Sequence, residues 1–205
     1  MIALRALAPY ARRRNATAGA RCELCGGAIA AEHRHLVDTV ERSLRCSCTA
    51  CALLFERRGQ RLRAAPDRWL SDPRAALDDA AWASLQIPVR LAFFFRPGDG
   101  ARWAAFYPSP AGATESTLGL ESWEELARAL PLAAAVEPDV EALLVAAAGD
   151  GRCEHWLVPI SACYELVGRV KRTWRGFDGG ADAHRAIDDF FAGVRARATP
   201  LGPAS

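Results

Sequence analysis

The sequence predicts an α+β protein: a small metal-binding ribbon, then an antiparallel sheet of two hairpins packed with helices. Three observations predict it. Five of the seven cysteines and two of the four histidines fall between Arg21 and Phe55. Beyond residue 86, two pairs of apolar runs flank Gly-containing turns, the pattern of hairpins and so of antiparallel pairing. The chain then ends in two stretches with helical apolar periodicity. The hydrophobic content of 51% is ordinary for a globular chain, so a core can form outside the cysteine segment. The expected organisation is a loose basic tail over 1–20, a cysteine-rich ribbon over 21–56, a connector with one helix over 57–86, and an α+β domain over 87–198.

Each element has a local reason. His35 to Leu44 can supply short strands between two turns. A helix is expected over 73–85, with Asp72 as N-cap, Pro73 at the first helical position, and Leu77, Ala81 and Leu85 on one face. Ile87 to Phe95 reads as a buried strand, Pro97 to Gly100 as a turn, and Arg102 to Tyr107 as the returning strand. The Pro and Gly content of 108–112 predicts a loop. Ser122-Trp-Glu-Glu125 has the spacing of a capping box, so a helix is expected from Ser122 to about Leu130. Val140–Ala146 and Cys153–Ile160 read as the second hairpin, turned at Gly149-Asp-Gly151. Cys163, Leu166, Val167, Val170 and Trp174 line one amphipathic helix, stopped by Gly176. Ile187, Phe190, Phe191 and Val194 line the last, with Asp182 as its cap. Helices are expected to cover one face of the sheet.

Composition bounds the function. No apolar run approaches the roughly 20 residues of a membrane-spanning helix. Arg12 to Arg14 are followed by Asn15, Thr17 and Gly19 and not by an apolar stretch, which argues against a signal peptide. A cytoplasmic location is expected, where closely spaced cysteines read as metal ligands rather than disulfides. The net charge of +2 hides an asymmetry. Residues 1–68 hold 13 arginines against 6 acidic residues, a net +7, and the remainder carries −5. A basic metal-binding half can meet nucleic acid. With Lys171 as the sole lysine, arginine also simply fills ordinary surface positions.

The donors decide the chemistry. Cys22-Glu-Leu-Cys25-Gly26 and Cys48-Thr-Ala-Cys51 are two Cys-x-x-Cys turns. Such turns present two thiolates on one side of a loop, with backbone N–H groups toward the sulfurs, and Gly26 suits a positive φ. Two facing turns make a tetrahedral four-sulfur site for zinc or a single iron. The 22 residues between the inner cysteines slightly exceed the usual ribbon spacing of roughly 15–20. A segment of about 35 residues does not usually fold without such a staple. The expected ligands are therefore Cys22, Cys25, Cys48 and Cys51, and the expected metal is zinc, with iron or an iron–sulfur cluster as the alternative.

Three donors are left: Cys46, His33 and His35. On a strand the two histidines share a face. They could complete a Cys₂His₂ site with Cys22 and Cys25, or lie beside the metal as supporting residues. Cys46, Cys48 and Cys51 with Cys22 or Cys25 could hold a four-iron cluster. Seven donors are one short of two four-ligand sites, so a second site would need Glu32, Asp38, a water or a partner's ligand. The Cys-x-His order of a Rieske centre is absent.

Elsewhere the signals are bland. Cys153 and Cys163 read as small core residues. His155 and His184 have no recognisable catalytic partner. Pro110 to Ser116 reads as a solvated loop. Trp69, Trp103 and Trp123 are explained equally by core packing and by a partner interface. There is no Gly-x-Ser-x-Gly, Walker loop or His-Glu-x-x-His, and no catalytic residue is assigned.

Several segments together resemble a bacterial family without an established activity: Cys22-Glu-Leu-Cys-Gly, Glu32-His-Arg-His-Leu-Val-Asp38, Cys46-Ser-Cys-Thr-Ala-Cys-Ala-Leu-Leu-Phe55, Phe106-Tyr-Pro-Ser-Pro-Ala-Gly112 and Trp174-Arg-Gly-Phe177. The resemblance runs from about residue 21 to 195. Members of that family tend to be encoded beside nickel–iron hydrogenase genes. The resemblance therefore implies an accessory or assembly role with a protein client, a hydrogenase subunit or maturation factor. The ligand segment also partly resembles rubredoxins and zinc ribbons: Cys22-x-x-Cys25-Gly26 matches the first knuckle, but Ala52 stands where the second usually has Gly. An electron-transfer protein holding iron, and a nucleic-acid-binding zinc ribbon, are the competing readings.

Overall fold

The computed structural model describes residues 20–55, 61–75, 77–100, 102–116, 120–147, 152–176 and 179–202. The expected basic tail, apart from residue 20, and the expected turn at Gly149 to Gly151 lie outside them.

The cysteine segment forms a three-stranded antiparallel sheet, ordered β2-β1-β3, from β1 (Arg34–Asp38), β2 (Ser43–Ser47) and β3 (Leu62–Ala64). A short helix α1 (Thr49–Leu54) follows β2. Asp38 shapes the β1–β2 turn. Its Oδ1 accepts the backbone N–H groups of Val40 at 3.1 Å and Glu41 at 3.0 Å, an Asx turn that aligns the two strands. Arg61 closes the carboxylate from the other side, donating from Nε at 3.1 and 3.0 Å.

The second sheet has eight strands. β4 (Leu70–Ser71), β6 (Leu91–Phe95), β7 (Ala104–Ser109), β8 (Gly112–Ser116), β9 (Glu141–Ala147), β10 (Arg152–Pro159) and β11 (Thr199–Pro200) run in the order β11-β4-β10-β9-β6-β7-β8, and β5 (Leu77–Asp78) also pairs β10. All pairings are antiparallel except β11 with β4. The two expected hairpins are β6–β7 and β9–β10, and β6 lies against β9 with Phe93 opposite Leu144. This is the predicted α+β class.

Helices cover both faces of this sheet, not one. Strand alternation divides the central strands. Ala142, Leu144, Trp156 and Val158 pack with Leu166, Val170, Phe190 and Phe191 of α5 (Ile160–Thr173) and α6 (Gly180–Arg197). Leu143, Val145 and Leu157 pack the other way, against Trp82, Trp123 and Leu132. Those come from α2 (Asp79–Ser84), α3 (Leu120–Ala129) and α4 (Pro131–Ala135). Spacing along the chain shows α3 and part of α2 as helices, but not that they take the face opposite α5 and α6. Trp123 is 0% exposed and stacks on Phe94 at 3.6 Å between ring centroids, with Trp103 edge-on at 5.7 Å. Trp69 is half-buried under Arg197 at 5.1 Å. Trp123 is therefore a core residue.

Other local expectations shift. The helix expected over 73–85 spans only Asp79–Ser84 and is capped by Asp78, whose carboxylate accepts Ala81 N–H at 2.8 Å. Asp72 is instead buried and bonds Arg74, because Leu70–Ser71 and Leu77–Asp78 are drawn into pairing with β10. Pairing of the strand expected from Ile87 begins at Leu91. The loop expected over 108–116 narrows to a turn at 110–111, and β8 continues the sheet. Ser122 lies inside α3, which begins at Leu120. Gly179, at φ 90°, precedes α6 in place of Asp182, whose carboxylate pairs with Arg185. Cys153 and Cys163 are buried core residues, as expected, while His184 is exposed.

The two sheets meet at the corner before β9. Val37 and Ala65 pack on Val140 and Ile160. Arg63 donates to Pro138 O at 2.7 Å and Asp139 Oδ2 at 3.1 Å, and also pairs with Glu137. Glu141 is 0% exposed, and its carboxylate accepts Arg68 Nε at 2.8 Å and Glu137 N at 2.8 Å. Removing one partner of a buried pair leaves an uncompensated charge. Arg68→Ala should therefore destabilise the fold by about 3 kcal/mol, the low end of that range because Arg68 is partly exposed. Adding Glu141→Gln should recover part of the loss in a denaturant-unfolding cycle. Additive single-variant losses would show that the pair is not coupled.

Candidate metal centre

The first knuckle is built by backbone bonds. Cys22 N donates to Gly27 O at 2.8 Å and Gly26 N to Cys22 O at 2.9 Å, which folds the loop back on itself. Gly26 sits at φ +73°, the left-handed conformation expected from the sequence. The second knuckle is different. Cys48 is the N-cap of α1, its sulfur accepts Cys51 N–H at 3.4 Å, and Ala52 N donates to Cys48 O at 2.9 Å. Ala52 is thus already helical and buried, and no glycine is needed there. That explains the departure from the rubredoxin pattern.

These turns bring one sulfur each from Cys22, Cys25, Cys48 and Cys51 within 4.8 Å of one another. Cys25 Sγ lies 3.8 Å from Cys48 Sγ. A tetrahedral zinc–thiolate site, with Zn–S of about 2.3 Å, separates its sulfurs by about 3.8 Å. The donor set fits a soft or borderline cation such as zinc or iron, and its all-sulfur chemistry does not choose between them. Backbone N–H groups of Cys25, and then Cys48, stabilise the Cys22 thiolate and lower its pKa to about 6. Cys51 is pushed up to about 12, first by sharing its proton with Cys48 and then by burial. A bound cation displaces such protons.

The three remaining donors form a second group. One ligand atom each from His33, His35 and Cys46 lies within 4.8 Å of the others. His35 faces Cys46 directly across the β1–β2 ladder. The rings of His33 and His35 are 4.7 Å apart at 44°. Burial first, then His33, holds His35 below the ordinary imidazole range. His33 and His35 do not join Cys22 and Cys25 in a Cys₂His₂ group, and Cys46 does not join Cys48 and Cys51. Of the acids considered as completing ligands, Asp38 is committed to Arg61 and its turn, and Glu32 is 95% exposed, 4.0 Å from Arg197. Sequence reasoning missed Glu23. Its backbone N–H donates to Cys46 O at 2.9 Å and its carboxylate accepts Cys46 N–H, which ties the first knuckle to β2. An acid between two paired cysteines was the available signal.

A family model, described as a family of unknown function (DUF5947), matches residues 21–198, and the chain belongs to that family. The match takes in the cysteine segment with its sheet and every strand of the large sheet except β11. No curated protein and no solved structure matches the chain.

Asp38 holds the turn that presents these strands. The Arg61 guanidinium, then the Glu41 N–H, depress its carboxyl to about 2. A depressed pKa contributes stability that is complete above the unfolded value near 4 and is lost as pH falls through the folded one. The stability gap between the native chain and Asp38→Asn should therefore be constant from about pH 7 to pH 5 and narrow from about pH 4 toward 2. Paired unfolding midpoints measure it. A gap that stays constant to pH 2 would remove Asp38 as a titrating anchor.

Proposed function

Proceeding from membership of a family of unknown function, we propose that this chain is a zinc-bearing accessory protein that assists assembly of a metalloenzyme. The observation that carries the metal half of the reading is the convergence of four cysteine sulfurs from two unlike knuckles. Zinc at Cys22, Cys25, Cys48 and Cys51 is a closed, redox-inert set that folds a segment too small for a core of its own. The eight-stranded sheet with its helices is the body that docks a protein client. The family resemblance in the sequence favours a hydrogenase subunit or maturation factor, in the cytoplasm. No helix among the described residues is long and apolar enough to cross a membrane.

Two observations support this reading over its competitors. The groups of converging metal donors found among the described residues both lie in the ribbon. Arg45, Arg61, Arg63 and Arg68 pair with Asp38, Glu41, Glu137, Asp139 and Glu141, which occupies arginines that a phosphate-binding stripe would use. Elemental analysis and an absorption spectrum of anaerobically purified full chain test the metal. The expected result is a colourless protein with one tightly held zinc, lost in Cys25→Ser or Cys48→Ser. Iron with a visible, reversibly bleached spectrum would replace this reading with electron transfer. Deletion of the gene tests the client: hydrogenase activity should fall, and intact assembly and activity would remove the accessory role.

A further inference from the structure

We propose that His33, His35 and Cys46 form a second, open metal site beside the four-cysteine cluster, taking a divalent cation of the zinc type with its fourth position free. The ribbon would then carry two metals of different character: one closed in sulfur, one exchangeable and able to accept an outside ligand. This goes beyond the accessory reading and does not depend on it.

The arrangement of His33 carries the inference. Its Nδ1 lies 3.0 Å from Ala30 O and 3.1 Å from Ala31 O. Carbonyl oxygens only accept, so Nδ1 bears the hydrogen and Nε2 is left with its lone pair. That Nε2 is buried and has no hydrogen-bond partner among the described residues. Burying a polar atom without a partner is costly. A metal-ligating histidine shows this same pattern: one ring nitrogen donates to a backbone carbonyl, which sets the tautomer and aims the other at the ion.

The backbone holds the other two donors in place. His35 and Cys46 are directly opposite on paired antiparallel strands, where Cβ atoms are about 5 Å apart. His33, two residues before His35, brings its ring alongside. Zn–N bonds of about 2.0 Å and a Zn–S bond of about 2.3 Å place tetrahedral donors about 3.3 to 3.6 Å apart. One ligand atom of each residue already lies within 4.8 Å of the others, and side-chain rotation would bring His33 Nε2 to that spacing. Two imidazoles and one thiolate suit zinc, and three protein ligands with one open position are the arrangement of reactive zinc sites. Glu23 braces the site from the four-sulfur side through Cys46 N–H. All three donor residues are partly exposed, although His33 Nε2 itself is buried, so water or a partner's side chain would enter the fourth position from the side of their exposed atoms.

Cobalt titration of the zinc-loaded full chain tests the site. The native chain should take up one further equivalent of Co²⁺, with tetrahedral d–d bands and a thiolate charge-transfer band, and release it to a chelator that leaves the tight zinc in place. Cys46→Ser should abolish the charge-transfer band. His33→Ala should keep that band but weaken binding by more than the 10- to 100-fold that losing an outer support costs. Tight zinc should be unchanged in both, and it alone should respond to Cys25→Ser. Zinc K-edge absorption on native chain holding two zinc equivalents needs no variant: imidazole scattering is expected alongside sulfur. No second equivalent, an all-sulfur shell, or a second equivalent indifferent to both His33→Ala and Cys46→Ser would overturn the proposal.

Discussion

The corner that precedes β9 is the joint on which the rest of the structure depends. Glu141 opens the strand that lies between β6 and β10, and its carboxylate is fully buried. A buried carboxylate is tolerable only when its lone pairs are occupied, and here Arg68 and the Glu137 N–H occupy them. Arg63 reaches the same corner from β3 and holds Pro138 and Asp139. Asp139 adopts φ 67°, and its Oδ1 accepts Gly98 N–H at 2.7 Å, tying in the β6–β7 turn. One short acidic stretch thereby links the ribbon, the segment after it and the central strands. The ribbon is fastened to a rigid body rather than carried on a loose arm.

That fastening bears on the donors. A cysteine-rich segment of this size ordinarily depends on a metal for order. Here β1 is also held by Leu36 and Val37, both buried, and by the Asp38–Arg61 pair at its end. The strands that present His35 and Cys46 therefore have support besides the four sulfurs. The two knuckles also divide the labour unequally. The first is a backbone loop turned by Gly26, and the second is the opening turn of a helix. Cys46 stays in β2, whereas Cys48 has left the strand to cap α1. A separation of two residues thus assigns neighbouring thiols to different groups.

The large sheet was well signalled where it was strongly patterned. The hairpins around Phe93 and Trp156 show as continuous apolar runs because their strands are buried on both faces, and helices α5 and α6 show in helical spacing because each buries one face. The second face was hidden. Its cover comes from α2, α3 and α4, two of them only five or six residues long, too short to show periodicity. Leu77 and Asp78, expected inside a helix starting at residue 73, pair with β10 instead, as do Leu70 and Ser71, a tertiary gain that overrides a local cap at Asp72.

The sequence by itself determined the fold class, the two Cys-x-x-Cys turns and the need for a positive φ at Gly26, since each follows from local spacing and residue type. Only the tertiary structure decided the fate of Cys46, His33 and His35. Their grouping depends on β1–β2 register, which sets His35 opposite Cys46, and a one-residue slip would reverse the faces. It depends also on the Ala30 and Ala31 carbonyls that orient the His33 ring. Register is a relation between two strands, and the His33 bonds, though they reach back only two and three residues, depend on how the backbone turns just before β1; residue type and spacing encode neither.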